Sequence, residues 1–244
     1  MEIRNFRLDT EWNAVHYPDR PNGFGILIIG DERHFVESGS SFWTQNEGKR
    51  LFLKKIKDAG YTVFYSNLYG KNWGSNKAVT MTKLLYRHIL RSEILNEKIH
   101  VLAEGMGALV ALRLLQSNDI KIRSLLLINP ILSLKSHLEQ EKEHKFFHKK
   151  LIKELTVSHG IDIGDIEGII NGEDEPQLNE RIPSKIIHVL SGNRAYRQSE
   201  MLNEYLSMWT KSGLPVSVTY MVPEKKLQLG SHAVKFWHEH EDVL

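Results

Sequence analysis

The sequence contains no cysteine, which excludes disulfide bonds, thiolate nucleophiles and cysteine-ligated metal sites. It also lacks any apolar run near the roughly 20 residues that a membrane-spanning helix needs, and its first residues lack the apolar core of a signal peptide. We therefore predict a cytoplasmic protein without a membrane partner. Its 32 basic and 30 acidic residues give a net charge of +2 and form no long run of one sign, so nucleic-acid binding gains no support.

The remaining composition is that of an ordinary globular protein. Hydrophobic residues make up 41% of the 244 positions and charged residues 25%, which argues against extended disorder. A chain of this length can bury one large core, so we predict a single domain over residues 1–244.

Apolar runs and helical periodicities alternate along the chain. Two short alternating segments at the start predict an antiparallel strand pair, and the later alternation predicts right-handed crossovers into a parallel sheet with helices on both faces. The predicted strands are 3–8, 13–17, 24–29, 61–65, 99–103, 123–128, 185–191 and 216–222, and the predicted helices are 47–59, 77–95, 106–115, 199–212 and 233–240.

Between residues 132 and 183 this alternation lapses. One charged helix is predicted over Ser136–Leu155 and a short second helix over Ile161–Asn171. We interpret 132–183 as a cap or lid inserted between two strands. Its segment from Lys145 to Leu155 carries Phe146 and Phe147 among lysines, which suits a lid, our default interpretation, or a partner surface.

The stretch around which the chain is organised is residues 98–115, KIHVLAEGMGALVALRLL. An apolar strand meets a turn of small residues, and a helix follows at once. In a G-x-S-x-G elbow, small residues two positions before and after the serine allow the sharp bend that presents the hydroxyl. The matching flanks are Ala103 and Gly107, but the position between them is Gly105, which has no side chain to attack a substrate.

The order of these features resembles the α/β-hydrolase superfamily: an elbow after the fifth strand, an insertion after the sixth, a glycine turn after the seventh, and Gly230-Ser231-His232 after the eighth. The resemblance covers nearly the whole chain. It implies an α/β-hydrolase fold, with a mostly parallel eight-stranded sheet, helices on both faces and a small helical insertion after the sixth strand.

The resemblance also implies a catalytic triad, which is degenerate in this sequence. The nucleophile position is the vacant Gly105, the acid position in the turn beginning at Gly192 is Ala195, and only the histidine, His232, is retained. The end of the sixth strand, which supplies the acid in some relatives, carries Asn129-Pro130. Loss of a nucleophile leaves little acceleration, so we predict that ordinary serine hydrolysis is absent.

A binding role for the remaining pocket follows from the start of the helix after the elbow. The backbone N–H of Met106 is expected to point outward there, where it would favour a carboxylate, phosphate or carbonyl oxygen. Gly30 and Asp31, which follow the third strand, and His232 are expected to flank this pocket. Glu104 is a weak candidate base, and its alternative interpretation is a favourable charge near a helix start.

Other chemistry has weaker support in the sequence. Ser191 and Ser231 could be displaced nucleophiles, but neither lies on an elbow. His144 and His148 could share a helix face without a third metal ligand, so a solvated surface is the better interpretation. We predict no metal and no cofactor.

Three functional classes remain open. We favour a non-hydrolytic protein that binds a small carbonyl or anionic ligand, or a protein partner, at the old active-site pocket. The alternative is an esterase- or thioesterase-like hydrolase, or a lyase, that uses His232 or Glu104 without a covalent serine intermediate. The third class is an interaction protein whose pocket is closed by side chains.

Overall fold

The computed structural model describes residues 2–117, 119–171 and 176–241, with backbone alone at residue 171 and at 192–198. Eight strands of the described chain form one sheet in the order β1-β2-β4-β3-β5-β6-β7-β8. β1 and β2 pair antiparallel, β2 pairs antiparallel with β4, and the remaining neighbours are parallel. The strands are β1 (Ile3–Leu8), β2 (Glu11–His16), β3 (Gly25–Ile29), β4 (Thr62–Ser66), β5 (Ile99–Glu104), β6 (Ile122–Ile128), β7 (Ser184–Val189) and β8 (Val216–Met221).

Helices cover both faces of this sheet, and the central strands β3, β4 and β5 are therefore buried along their whole length. One core layer packs α3, α4 and α8 against the sheet, and the other packs α2 and α9. The helices are α1 (Phe42–Gln45), α2 (Glu47–Asp58), α3 (Asn76–Ser92), α4 (Gly107–Gln116), α5 (Leu134–Glu141), α6 (Lys145–His159), α7 (Ile166–Asn171), α8 (Gly192–Lys211) and α9 (Leu229–His238). Within the described residues, no helix has both the length and the apolarity to cross a membrane.

Three predicted boundaries were wrong. The single helix over Ser136–Leu155 is two helices, because α5 and α6 each turn an apolar face into one cluster and the chain reverses between them at 142–144. The predicted glycine turn at Gly192 is the first turn of α8, which begins seven residues earlier than the apolar spacing predicts. The final helix begins at Leu229, so His232 lies inside α9 rather than on a loop.

The insertion between β6 and β7 is helical, as predicted, and it is tied to the body by charges. Lys71, in the loop before α3, contacts Glu32 at 2.7 Å and also contacts Glu154 of α6. Lys150 of α6 contacts the same Glu32 at 2.7 Å, and the indole of Trp73 donates to Glu154 at 3.0 Å. Hydrogen bonds from Lys150 and Lys71 outweigh partial burial and lower the pKa of Glu32 to about 2.

Candidate functional site

The elbow lies at the carboxyl edge of the sheet, where β3 and β5 run side by side with Ile29 opposite Ala103. Gly105 follows β5 directly with φ +50°, a left-handed conformation that a side chain disfavours. Its N–H donates to the carbonyl of Ile128 at 3.1 Å, and its carbonyl accepts from the N–H of Ile131 at 2.9 Å. The strand-turn-helix geometry predicted around Gly105 is therefore present.

The Asp31 carboxylate occupies the space beside Gly105. A β-carbon at residue 105 would lie 2.0 Å from Asp31 Oδ1 and 2.1 Å from its Cγ, distances that no pair of real atoms adopts. Oδ1 also accepts a hydrogen bond of 3.0 Å from the backbone N–H of Met106. The Asp31 carboxylate thus fills the space beside the elbow and accepts the backbone N–H at the N-cap of α4.

The arrangement at this edge of the sheet differs from two expectations. The Met106 N–H does bind a carboxylate, but it is that of Asp31, so this donor is not available to an added anion. The Met106 side chain is buried in the apolar cluster of the insertion. Gly30 does not flank an open pocket either, because a β-carbon there would lie 2.2 Å from the ring of His34, which packs directly against it.

His34 is buried directly beside Gly30 and accounts for the glycine at that position. Its Nε2 lies 2.9 Å from the carbonyl oxygen of Ser66, and its ring packs edge-on against Tyr65 at 5.4 Å between centroids. Burial lowers the pKa of His34 to about 4, although the bond to Ser66 opposes the shift. His34 is therefore a neutral group at pH 7 that supports the loop carrying Asp31.

Glu104, the last residue of β5, forms an ion pair with Lys49 of α2. The carboxylate is buried, and the Lys49 ammonium also lies 4.8 Å from the centre of the Trp43 ring. Glu104 ends β5 two residues before Met106, the N-cap of α4, so its interpretation as a favourable charge near a helix start stays a prediction. To act as a base, Glu104 would first have to break its ion pair with Lys49, which would leave a buried charge without a partner.

A cleft of about 570 Å³ opens beside the elbow. Asp31, Glu104 and Gly105 line its floor, together with residues at the carboxyl ends of β6 and β7. Arg33 and Lys226 line it as well, and neither contacts a carboxylate within the part of the chain that the structure describes. The apolar lining comes from Phe42, Leu51, Phe52, Leu227 and Leu229.

The other two positions of the expected triad, His232 and Ala195, are not seen in the lining of the cleft among the described residues. His232 is half-buried within α9 and is not among the described residues that line the cleft, although Gly230 in the preceding turn is. Ala195 lies in the first turn of α8, and its side chain is outside the described residues. Of the predicted site residues, the structure brings Asp31, Glu104 and Gly105 together.

No pattern in the sequence predicted that Lys49, Arg33 and Lys226 line this cleft. Lys49 is 55 residues from Glu104 and lies on a surface helix of ordinary composition, so nothing in the sequence links the pair. Among the described residues, no cluster of three or more His, Asp or Glu side chains could hold a metal ion. The absence of a metal and of a cofactor stays a prediction.

Comparisons with known proteins identify the fold. No family model matches the chain, and no curated protein matches it in sequence. Solved structures match over nearly the whole chain, among them Est1E from Butyrivibrio proteoclasticus, with a TM-score of 0.63, 12% identity, and 98% of this chain and 99% of that one covered. Inhibited esterase B from Lactobacillus rhamnosis has a TM-score of 0.63, 13% identity and coverages of 98% and 87%.

An esterase/lipase from an uncultured bacterium also aligns, with a TM-score of 0.63, 13% identity, and 98% of this chain and 84% of that one covered. At these identities the likeness establishes the fold and carries no statement about activity. Together with the eight-stranded, mostly parallel sheet and the helical insertion after β6, it confirms the predicted α/β-hydrolase fold.

Proposed function

We propose that this protein is a non-hydrolytic α/β-hydrolase-fold protein that binds a small ligand in the cleft beside its elbow. The observation that carries the proposal is the contact between Asp31 and the elbow. A carboxylate lies where the β-carbon of a nucleophile would stand, and it accepts the Met106 N–H.

Three parts of acyl-transfer chemistry are affected by this arrangement. Gly105 offers no nucleophile, and the negative charge of Asp31 opposes the oxyanion that develops in the transition state. The Met106 donor that would stabilise that oxyanion is already used. His232, the residue expected to act as base, is absent from the described lining of the cleft. Residual rates would be several orders of magnitude below those of an intact triad.

The cleft suits a ligand with an apolar body and a carbonyl or anionic group. A volume of about 570 Å³ lies within the range of small-molecule sites. Phe42 and Phe52 provide apolar contact, while the cations of Arg33 and Lys226 attract negative charge. The anionic end of such a ligand is expected near these two cations and away from Asp31.

The hydrolytic alternative has less support. It needs Glu104 or His232 as the reacting group, but Glu104 is paired with Lys49 and His232 lies within α9, outside the cleft lining described above. The third class, a protein with a closed pocket, is disfavoured because the cleft is open.

Activity assays separate these proposals. We expect no labelling by a fluorophosphonate and no turnover of p-nitrophenyl esters, with His232→Ala indistinguishable from wild type. Labelling, or turnover abolished by His232→Ala, would refute a non-hydrolytic function. Turnover that serine reagents do not inhibit, but that His232→Ala or Glu104→Gln abolishes, would support the alternative.

A binding assay tests the ligand class. Hexanoate and hexanamide share an apolar tail and differ in charge, and both can be titrated against the protein by NMR. We expect shifts in cleft residues, with hexanoate binding weakened by Arg33→Ala or Lys226→Ala and hexanamide binding less affected. Lys211→Ala, an exposed cation at the end of α8, is the matched control. Equal loss in the control would contradict the assignment.

A further inference from the structure

The outward face of α6 carries a row of four side chains that the cleft does not use. Phe146, Lys149, Lys153 and Val157 follow one another at spacings of three and four residues, which places them along one side of a helix. We call this row the α6 outer stripe. Phe146 is 75% exposed and Val157 is 68% exposed, and both lysines are exposed.

The charges of the stripe are unbalanced. Neither Lys149 nor Lys153 contacts a carboxylate within the described residues. The only acidic residue in α6 is Glu154, which faces the body and contacts Lys71 and Trp73. The stripe therefore presents two free positive charges between two exposed apolar side chains.

The stripe is held in a fixed orientation. Besides the contacts of Glu154, Lys150 reaches Glu32 at 2.7 Å, and the ring of His159 lies 3.1 Å from the carbonyl oxygen of Trp73. The opposite side of α6 is buried through Leu151 and Leu155. A surface fixed in this way loses little conformational freedom on binding.

We propose that the α6 outer stripe docks an amphipathic helix of a partner protein that carries acidic side chains between two apolar ones. Phe146 and Val157 are eleven residues apart, about 16 Å along the helix axis. A second helix has the same rise, and its side chains recur at the same spacings of three and four residues, so an apolar-acidic-acidic-apolar row matches the stripe position by position. The inference is independent of the ligand proposed for the cleft.

A lipid surface fits the stripe less well. A helix that lies in a membrane interface submerges a continuous apolar face, but the continuous apolar face of α6 is packed against the protein. The outward apolar side chains Phe146 and Phe147 at one end of α6 are separated from Val157 at the other end by the lysines, and Asp162 and Asp165 follow just beyond the helix. Electrostatic complementarity to carboxylates on a protein is the better match.

The test uses the full protein and a designed helical peptide with leucines flanking two glutamates on one face, measured by fluorescence anisotropy at low ionic strength. We expect saturable binding that falls about tenfold or more with Lys149→Glu/Lys153→Glu and that weakens as salt is added. Replacing the two glutamates of the peptide by glutamine is expected to give a similar loss. Phe146→Ala tests the apolar contact.

Lys98→Glu/Lys211→Glu is the matched control, because both lysines are exposed and lie outside the stripe. Circular dichroism and thermal unfolding check that each variant is folded. Equal weakening by this control, no binding of the peptide to the folded wild type, or unchanged binding to the glutamine peptide would overturn the proposal. Binding of the wild type to phosphatidylserine vesicles would also overturn the proposal if Lys149→Glu/Lys153→Glu abolished it while the same variant still bound the peptide.

Discussion

The glycines of the elbow and those of the helical insertion differ in how closely other atoms pack around them. At the elbow, a β-carbon on Gly107 would meet the carbonyl oxygens of Ile29 and Gly30 at 2.5 and 2.7 Å. In the insertion, a β-carbon on Gly160, Gly164 or Gly168 would meet no atom within 4 Å. The elbow is therefore defined by close backbone packing, whereas the insertion is attached largely through side-chain charges and one apolar cluster.

The largest expected effect tests this contrast directly. Gly107→Ala would force the backbone of β3 away from α4, and we expect a loss of about 3 kcal/mol in the free energy of unfolding. Gly168→Ala, in the open interior of α7, is expected to be neutral or to stabilise the protein by about 0.5 kcal/mol. Urea unfolding measures both. Similar losses in the two variants would remove the distinction between the two regions.

His34, which supports the loop carrying Asp31, makes the free energy of unfolding depend on pH. Because burial lowers the pKa of His34 to about 4 from 6.5, the unfolded chain takes up this proton first as pH falls. The contribution of His34 to the free energy of unfolding is fully present above pH 6.5. It falls by on the order of 3 kcal/mol as the pH decreases to about 4. We expect His34→Gln to flatten the pH dependence of the free energy of unfolding in this window, measured by urea unfolding at several pH values.

A smaller effect is expected from placing a serine at the elbow. Gly105→Ser must adopt φ +50° and displace Asp31, at a cost of about 2 kcal/mol. Asp31→Gly alone removes the acceptor for the Met106 N–H, at about 1 kcal/mol. The double variant is expected to lose about 1 kcal/mol less stability than the sum of the losses in the two single variants. Strict additivity would contradict the steric coupling.

The smallest effect concerns the attachment of the insertion. Glu32→Gln removes one partner of Lys71 and Lys150, and partly exposed pairs of this kind contribute less than about 1 kcal/mol. We expect faster amide hydrogen exchange in α6 with little change at the elbow. The pKa of Glu32 is lowered to about 2, so this attachment is present above pH 4.5 and weakens as pH falls toward 2. Glu139→Gln, an exposed pair within α5, is the control.

The sequence predicted the features that depend on local pattern. Continuous apolar runs located the central strands, and the small residues around Gly105 located the elbow, because a tight backbone turn tolerates few residue types. Exposed elements were less predictable. The start of α8 and the break between α5 and α6 were missed, since neither carries a proline, and tertiary packing rather than propensity determines them.

The chemistry of the site was predictable only in part. The absence of a nucleophile at Gly105 can be read from the sequence, and Asp31 was expected near the pocket. That the Asp31 carboxylate would fill the space above Gly105 depends on the register of β3 against β5 and on the turn that His34 supports. The first relation leaves no signal in residue spacing because Asp31 and Met106 are 75 positions apart, and the second depends on the contact of His34 with Ser66, 32 positions away.

The contact between Asp31 and Gly105 also constrains any redesign of the elbow. A single change that placed serine at residue 105 would meet the Asp31 carboxylate before it could offer any catalytic benefit. A serine at residue 105 would therefore fit better after a change at residue 31, although that change removes the acceptor of the Met106 N–H. One carboxylate thus raises the energetic cost of a serine at the elbow and makes residues 31 and 105 depend on each other.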